Sequence, residues 1–241
     1  MKKADFNYID HYKRDAEEFD YFEDRSGATA HDERRVREYI ISEVDVKNGR
    51  VLDVGAGSAW VAEKFTQKGF EVVSMDISLK NLKKAKEKVP GLLHSCVSSD
   101  AFKLPYKDGS FDLVIASEVI EHVYDPEGFV LELTRVVKKG GQLIITTPYK
   151  EKLQYSLCVH CNQPTPLHAH IHSFDENVLL SLFRTVDHSY LEWATFGNKL
   201  LIFLRTYVIL RYFPFRFWKF KDRMTNLLYN KPAHIIIKHT R

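Results

Sequence analysis

Three groups of side chains in this sequence have the types and spacing of working chemistry. The first is Asp53-Val-Gly55-Ala56-Gly57, with single acids further on at Asp76 and Asp100. Glycine accepts positive φ and lets a ligand approach where a Cβ would collide. A helix that starts straight after such a turn leaves its first amides without intrahelical partners, so the turn reads as a nucleotide-type site. An acid placed as Asp76 is, about twenty residues beyond the turn, can accept both hydroxyls of a ribose. The second group is Glu118-Val-Ile-Glu121-His122, two carboxylates and an imidazole able to take a proton or hold a cation. The third is Cys158-Val-His-Cys161, followed by His168-Ala-His170-Ile-His172. C-x-x-C is half of a tetrahedral zinc site, and histidines two apart can supply the rest. The plain alternative is a reduced cysteine pair in a surface loop with solvated histidines.

These residues need elements to hold them, and hydrophobic periodicity supplies a consistent set. Residues 51–54 read as a short buried strand, the glycine turn follows, and 59–68 have a helical pattern. Strands at 70–75, 92–97, 111–117 and 141–147 alternate with helices at 78–88 and 126–138, which argues for a parallel sheet with helices on both faces. Asp76, Asp100 and Ser117 each come just after a strand, at the carboxyl edge where open α/β sheets bind ligands. Pro90-Gly91 and Gly140-Gly141 act as helix stops. Upstream, 29–44 reads as a helix with Val36, Tyr39, Ile40 and Val44 on one face. Downstream, Ser173 with Glu176 three residues on predicts a capped helix to Phe183, and 189–196 and 233–239 read as strands.

A dinucleotide site would want a third glycine at position 60, where Trp60 stands, and would not want Asp53 inside the turn. Instead, the order Asp-x-Gly-x-Gly, an acid ending strand two, Asp100 with a downstream Ser110-Phe111-Asp112, then Lys139-Gly-Gly-Gln-Leu-Ile-Ile145 resembles the class I S-adenosylmethionine-dependent methyltransferases. Within them it is most similar to the type 11 group that includes ubiquinone- and menaquinone-pathway enzymes. The resemblance covers residues 34–148, with one departure at Ala59, where many members carry glycine. It implies an α/β, Rossmann-like fold, and the length of the chain suits a single domain, 1–241. That fold has a seven-stranded, mostly parallel sheet with its last two strands antiparallel and helices on both faces. It also implies that Asp53 and the backbone of Gly55, Ala56 and Gly57 hold the methionine part of S-adenosylmethionine. Asp76 with Ile77 would hold the ribose, Asp100 with Ala101 the adenine edge, and the Ser117 backbone would pass beneath the sulfonium. His122 is then the candidate catalytic base. In the ubiquinone-pathway O-methyltransferases the matching E-x-x-E-H is associated with a divalent metal, which here implicates Glu118, Glu121 and His122. A subset of the type 11 group carries C-x-x-C and a histidine before the next Ser-Phe-Asp. That pattern implies a zinc held in the loop 150–173 by Cys158, Cys161 and His170, with His168 or His172 as the fourth ligand.

At 241 residues and 44% hydrophobic content the chain is long enough for one substantial core. A net charge of +3 gives no ground for nucleic-acid binding, and three cysteines make no disulfide framework. No apolar run follows the first lysines, so a secretory signal is not visible and a cytoplasmic protein is expected. Residues 1–30, rich in aromatics and acids, are expected either to cap the cofactor edge or to pack outside the sheet. An insertion at 198–232 has eight basic residues, one acid and nine aromatics. Arg205, Arg211 and Pro214 interrupt its apolar run, which argues against a membrane span. It suits a lipid interface, with peripheral membrane contact, or a lid over an apolar acceptor; a helical subdomain with buried apolar residues is the alternative. The expectation is methyl transfer to a small hydrophobic acceptor, weighed against a non-catalytic cofactor-binding module or an RNA methyltransferase.

Overall fold

The computed structural model describes residues 8–159 and 162–241. Two helices, α1 (Tyr8–Glu18) and α2 (Gly27–Glu43), precede an alternation of β1 (Arg50–Val54), α3 (Trp60–Thr66), β2 (Glu71–Asp76), α4 (Leu79–Lys88), β3 (His94–Ser98) and β4 (Phe111–Ser117). After β4 come a single 3-10 turn at Ile120–His122, α5 (Pro126–Val136) and β5 (Val137–Pro148). A small hairpin, β6 (Tyr155–Leu157) and β7 (Pro164–Pro166), leads to α6 (Glu176–Ser181) and β8 (Tyr190–Asn198). Three helices, α7 (Lys199–Phe203), α8 (Tyr207–Leu210) and α9 (Phe215–Leu228), then return the chain to β9 (Pro232–Thr240).

The main sheet has seven strands in the order β3-β2-β1-β4-β5-β9-β8. β1 to β5 pair in parallel, while β9 runs antiparallel to both β5 and β8. Strand order reverses between β1 and β4, which opens a crevice at their carboxyl ends. Because successive side chains leave a strand on opposite faces, β1 and β4 feed two cores at once. Leu52, Val54, Val114 and Ala116 pack with Phe129, Val130 and Leu133 of α5. Val51, Leu113 and Ile115 pack on the other face with Val36, Tyr39 and Ile40 of α2 and Val61, Ala62 and Phe65 of α3.

The structure departs from the sequence reading at two helix ends, and it also shows how the apolar run of the insertion is divided. The helix before β5 ends at Val136, and pairing resumes at Val137, so Gly140 and Gly141 lie inside β5 rather than stopping a helix. The cap of α6 is Asp175, whose side chain accepts from the Val178 amide, instead of Ser173. Finally, the apolar run 200–210 is not one helix: Arg205 takes φ +53 between α7 and α8. The break is closed by Thr206, whose amide and hydroxyl both donate to the Leu201 carbonyl.

Candidate active site

The crevice at the switch point holds a cleft of about 180 Å³, lined by Gly55, Gly57, Asp76, Ile77, Asp100, Ala101, Glu118 and His122 among others. It continues into a space of about 280 Å³ bordered by Ala56, Ser117, Glu118 and His234. The glycine turn is built by the sheet itself. Gly55 and Ala56 both donate their amides to the Met75 carbonyl at the end of β2, at 2.9 and 3.0 Å, so these two amides are engaged instead of open to a ligand. Gly55 has φ +69, and a Cβ there would meet Val119 Cγ2 at 2.7 Å. Ala59 is also left-handed at φ +59, a conformation that glycine would take without strain.

The strand-end acids differ in environment. Asp53 is buried, and its Oδ2 has no hydrogen-bond partner. Burial, and after it repulsion from Asp76, pushes its carboxyl up to about 8. Asp76 accepts from the Ser78 amide at 2.8 Å and from the Gly57 amide at 3.4 Å, while Ser78 Oγ caps α4 by accepting from Asn81. The carboxylate therefore serves both the local turn and the cleft wall. Burial raises its pKa against those amides. Asp100 accepts from the Phe102 amide at 3.1 Å.

At the other end of the cleft, His122 and His170 stand with ring centroids 4.7 Å apart. Each is anchored through Nδ1, His122 to the Ala169 carbonyl at 3.3 Å and His170 to Glu151 at 2.5 Å. Beside them, Glu121 is buried, accepts from the Thr147 hydroxyl at 3.0 Å through Oε2, and leaves Oε1 without a hydrogen bond, 3.9 Å from His122 Nε2. Glu121, His122 and His170 each offer one ligand atom within 4.8 Å of the others. Burial, with Glu118 second, drives Glu121 well above the usual carboxylate range. Burial, with His170 second, brings His122 down to about 4, so its imidazole is neutral at physiological pH.

Residues 52–145 match the family described as "Methyltransferase domain". The chain carries a methyltransferase domain. The demethylmenaquinone methyltransferase of Renibacterium salmoninarum is 37% identical over 113 residues, 46% of this chain and 47% of that protein. The ubiquinone biosynthesis O-methyltransferase of Xanthomonas oryzae is 31% identical over 128 residues, 51% and 52% of the two chains. This chain thus spans about half the length of the curated relatives it matches. A structure of an S-adenosylmethionine-dependent methyltransferase from Mesorhizobium loti superposes with TM-score 0.62 at 17% identity, covering 88% of this chain and all of that one. That likeness concerns the fold.

In this methyltransferase domain the sequence-derived cofactor residues gather at one crevice: Gly55, Gly57, Asp76, Ile77, Asp100 and Ala101 line its first part, and Ala56 and Ser117 its continuation. Asp53 lies beneath, in the sheet. The described members of the expected metal sets stand as follows. Glu118, at φ +55, points to His234 instead of joining Glu121 and His122. His170, expected beside the cysteines, faces His122 and Glu121; Cys161 lies outside the described residues. Cys158 sits at the hairpin turn, where its amide donates to Gln163 and its carbonyl accepts from Asn162. Three further residues line the crevice, two of them from the aromatic segment expected to cap it and the third without any forewarning in the sequence. Tyr12 and Tyr21 reach the cleft from α1 and the segment after it. The third, His234, is buried in β9, with Nε2 2.9 Å from Asp32 and Nδ1 3.3 Å from Glu118 at an angle that makes no hydrogen bond. Burial opposes its charged form, but Glu118 and Asp32 outweigh it and raise its pKa to about 10. A histidine in the last strand, with its partners more than a hundred residues away, carries no local signal.

Proposed function

We propose that the protein binds S-adenosylmethionine in this cleft and transfers its methyl group to a small, hydrophobic acceptor. The observation that carries the reading is the set of acids at successive strand ends around one cleft, with a buried carboxyl oxygen of Asp53 lacking a partner. The residues present fit the cofactor: Asp53 offers an acceptor for an ammonium, Asp76 for ribose hydroxyls, and the open side of Gly57 leaves room for close approach. When bound, the cofactor supplies a methyl group activated on a sulfonium.

The chain's own contribution is position. A displacement needs the acceptor atom held in line at near contact, and a base only if that atom carries a proton. Tyr12 and Tyr21 roof the cleft and exclude water. His122, neutral and at the far end of the cleft, is placed to take a proton from an acceptor hydroxyl. The named activities of the demethylmenaquinone and ubiquinone-pathway relatives support an apolar ring acceptor.

A second reading follows from the histidine pair. Glu121, His122 and His170 form a two-imidazole, one-carboxylate donor set, and ligating histidines commonly anchor their other nitrogen on a carboxylate or carbonyl, as both do here. This set, rather than Cys158 with His168 and His170, is where we place a divalent cation such as zinc; it would orient an acceptor and lower its pKa. Incubating purified protein with methyl-labelled S-adenosylmethionine and lysate, then fractionating, tests the first reading. Label is expected in the organic-soluble fraction. Label in RNA would replace the acceptor class, and bound cofactor with no transfer would favour a binding module. Metal analysis of freshly purified protein and of His170→Ala tests the second; equal metal content in both would remove it.

A further inference from the structure

The helices between β8 and β9 are built inside out. On α9 the buried positions are Trp218 and Asp222. Asp222 accepts the backbone amides of Gly197 and Asn198 at 3.1 and 2.6 Å. Asn198 in turn reaches Asn226 and the Tyr229 carbonyl, both at 2.7 Å. The preceding turn is tied down in the same polar manner: buried Arg35 donates to the carbonyls of Leu210 and Phe213 and to Glu38, with its guanidinium over the Trp218 ring. The insertion is thus fixed to the domain by these polar groups together with Trp218, Phe215 and Leu210, which pack into the core on the α2 face.

What it turns to solvent is apolar. Phe217, Phe220, Met224, Leu227 and Leu228 follow one another at spacings of three and four, hence on one face of α9, and all are exposed, Leu227 at 77% and Leu228 at 86%. The stripe continues through Phe213, stacked on Phe217 at 4.6 Å. On α7, α8 and the turn between them Phe203, Leu204, Val208 and Ile209 are exposed as well. Of the 25 exposed large hydrophobic residues among the described residues, 12 fall between 203 and 229, far more than a single surface normally concentrates. Cations surround them. Arg205, Arg211, Arg216, Lys221, Arg223 and Lys231 are all exposed, and the only acid in the segment is Asp222, buried and engaged. Since the whole chain nets only +3, the remainder is net negative and the positive field is concentrated here.

We infer that this face of α7 to α9 docks in the interface of an anionic lipid bilayer, with the apolar stripe among the acyl chains and the cations at the headgroups. The charge decides the occupant. A second copy of the chain would bring a surface of the same sign against this one, whereas an anionic bilayer offers apolar and negative layers in the matching order. No helix among the described residues is long and apolar enough to cross a membrane, so the contact is peripheral. Docking would also bring the cleft near the lipid: Asp32, which borders the cleft's continuation, also lines a small cavity beneath α7 together with Leu201, Ile202 and Tyr207. That last consequence rests on the proposed transfer reaction; the docking does not.

The test is flotation of the full chain with phosphatidylcholine vesicles, with and without about one third phosphatidylglycerol. Binding is expected to be at least about tenfold stronger on the anionic vesicles and to weaken with salt. Leu227→Glu with Leu228→Glu, and separately Lys221→Glu with Arg216→Glu, should each reduce it by about tenfold or more. All four positions are exposed, so melting temperature and calorimetric cofactor affinity should stay unchanged. Those two controls separate a failure of docking from a failure of the active-site reading. Absence of vesicle binding, equal binding to neutral vesicles, or concentration-dependent self-association abolished by Leu227→Glu/Leu228→Glu without vesicle binding would each overturn the inference. So would binding to single-stranded RNA in place of vesicles.

Discussion

Replacing Asp53 by Asn should make the ligand-free protein more stable, and increasingly so as pH rises. Asp53 is fully enclosed and its carboxyl is pushed up to about 8, whereas in the unfolded chain it ionises near 4. Between those values the unfolded state binds fewer protons than the folded one, so stability falls as pH rises through this window. Each pH unit is worth up to about 1.4 kcal/mol, which sets a ceiling of about 4 kcal/mol between about pH 5 and pH 8. Relaxation around the charge brings the expected gain to about 2–4 kcal/mol at the upper end, and to near zero at the lower, where Asn mimics the neutral acid. Urea unfolding of both proteins across this range reads the difference directly. Calorimetry of S-adenosylmethionine in buffers of different ionisation enthalpy adds a second signature: the wild type should release a proton on binding and the variant should not. A variant less stable than wild type at pH 8, or offset by the same amount at every pH, would refute the assignment of a buried, partnerless carboxyl here.

Three further outcomes are expected. Asp76→Ala should weaken cofactor binding by more than about tenfold, the loss of roughly one charged hydrogen bond, measured by calorimetry. Ala59→Val should destabilise by about 3 kcal/mol, because a β-branched residue is forced into the left-handed region at a site with no spare volume; Ala59→Gly should stay within about 1 kcal/mol, and equal effects of the two would show that φ is not the cause. His234→Gln should cost about 2–4 kcal/mol near pH 6 by leaving Asp32 and Glu118 facing each other without a cation. Because the folded pKa of His234 is raised to about 10, the stabilisation is complete below about pH 6.5 and fades towards pH 10. The gap between wild type and variant in denaturation curves should narrow accordingly.

The elements were legible where one physical signal dominated. β4, its residues 111–117 read from a largely apolar run, has those bounds in the structure, and Asp76 and Asp100, at and just past the ends of β2 and β3, line the crevice as expected because strand ends face one edge. Local signals failed where the chain's conformation depends on distant partners. Arg205 was seen to interrupt the apolar run of the insertion, but nothing in the sequence marks it for the left-handed conformation that separates α7 from α8. The pairing of His170 with Glu121 and His122 joins segments nearly fifty residues apart, which no local spacing announces. Asp175 was passed over as a cap in favour of Ser173, two residues upstream, since both types cap helices and only backbone geometry separates them.

The two amides that Gly55 and Ala56 give to the Met75 carbonyl bear on how fast the site can exchange its contents. A turn already locked to the neighbouring strand has no ordering left to undergo when a ligand arrives, so association meets little conformational delay at the floor of the cleft. Opening must then occur at the roof. There the start of the chain is held near α4 by Lys80 on the Glu17 carbonyl and by the exposed Lys84–Asp20 pair. Solvated contacts of this kind give way easily. Besides these, α1 is held by buried Ala16 and by Tyr12 against the His122 ring, so shortening the two lysines should speed release only as far as those apolar contacts allow, without altering the sheet beneath.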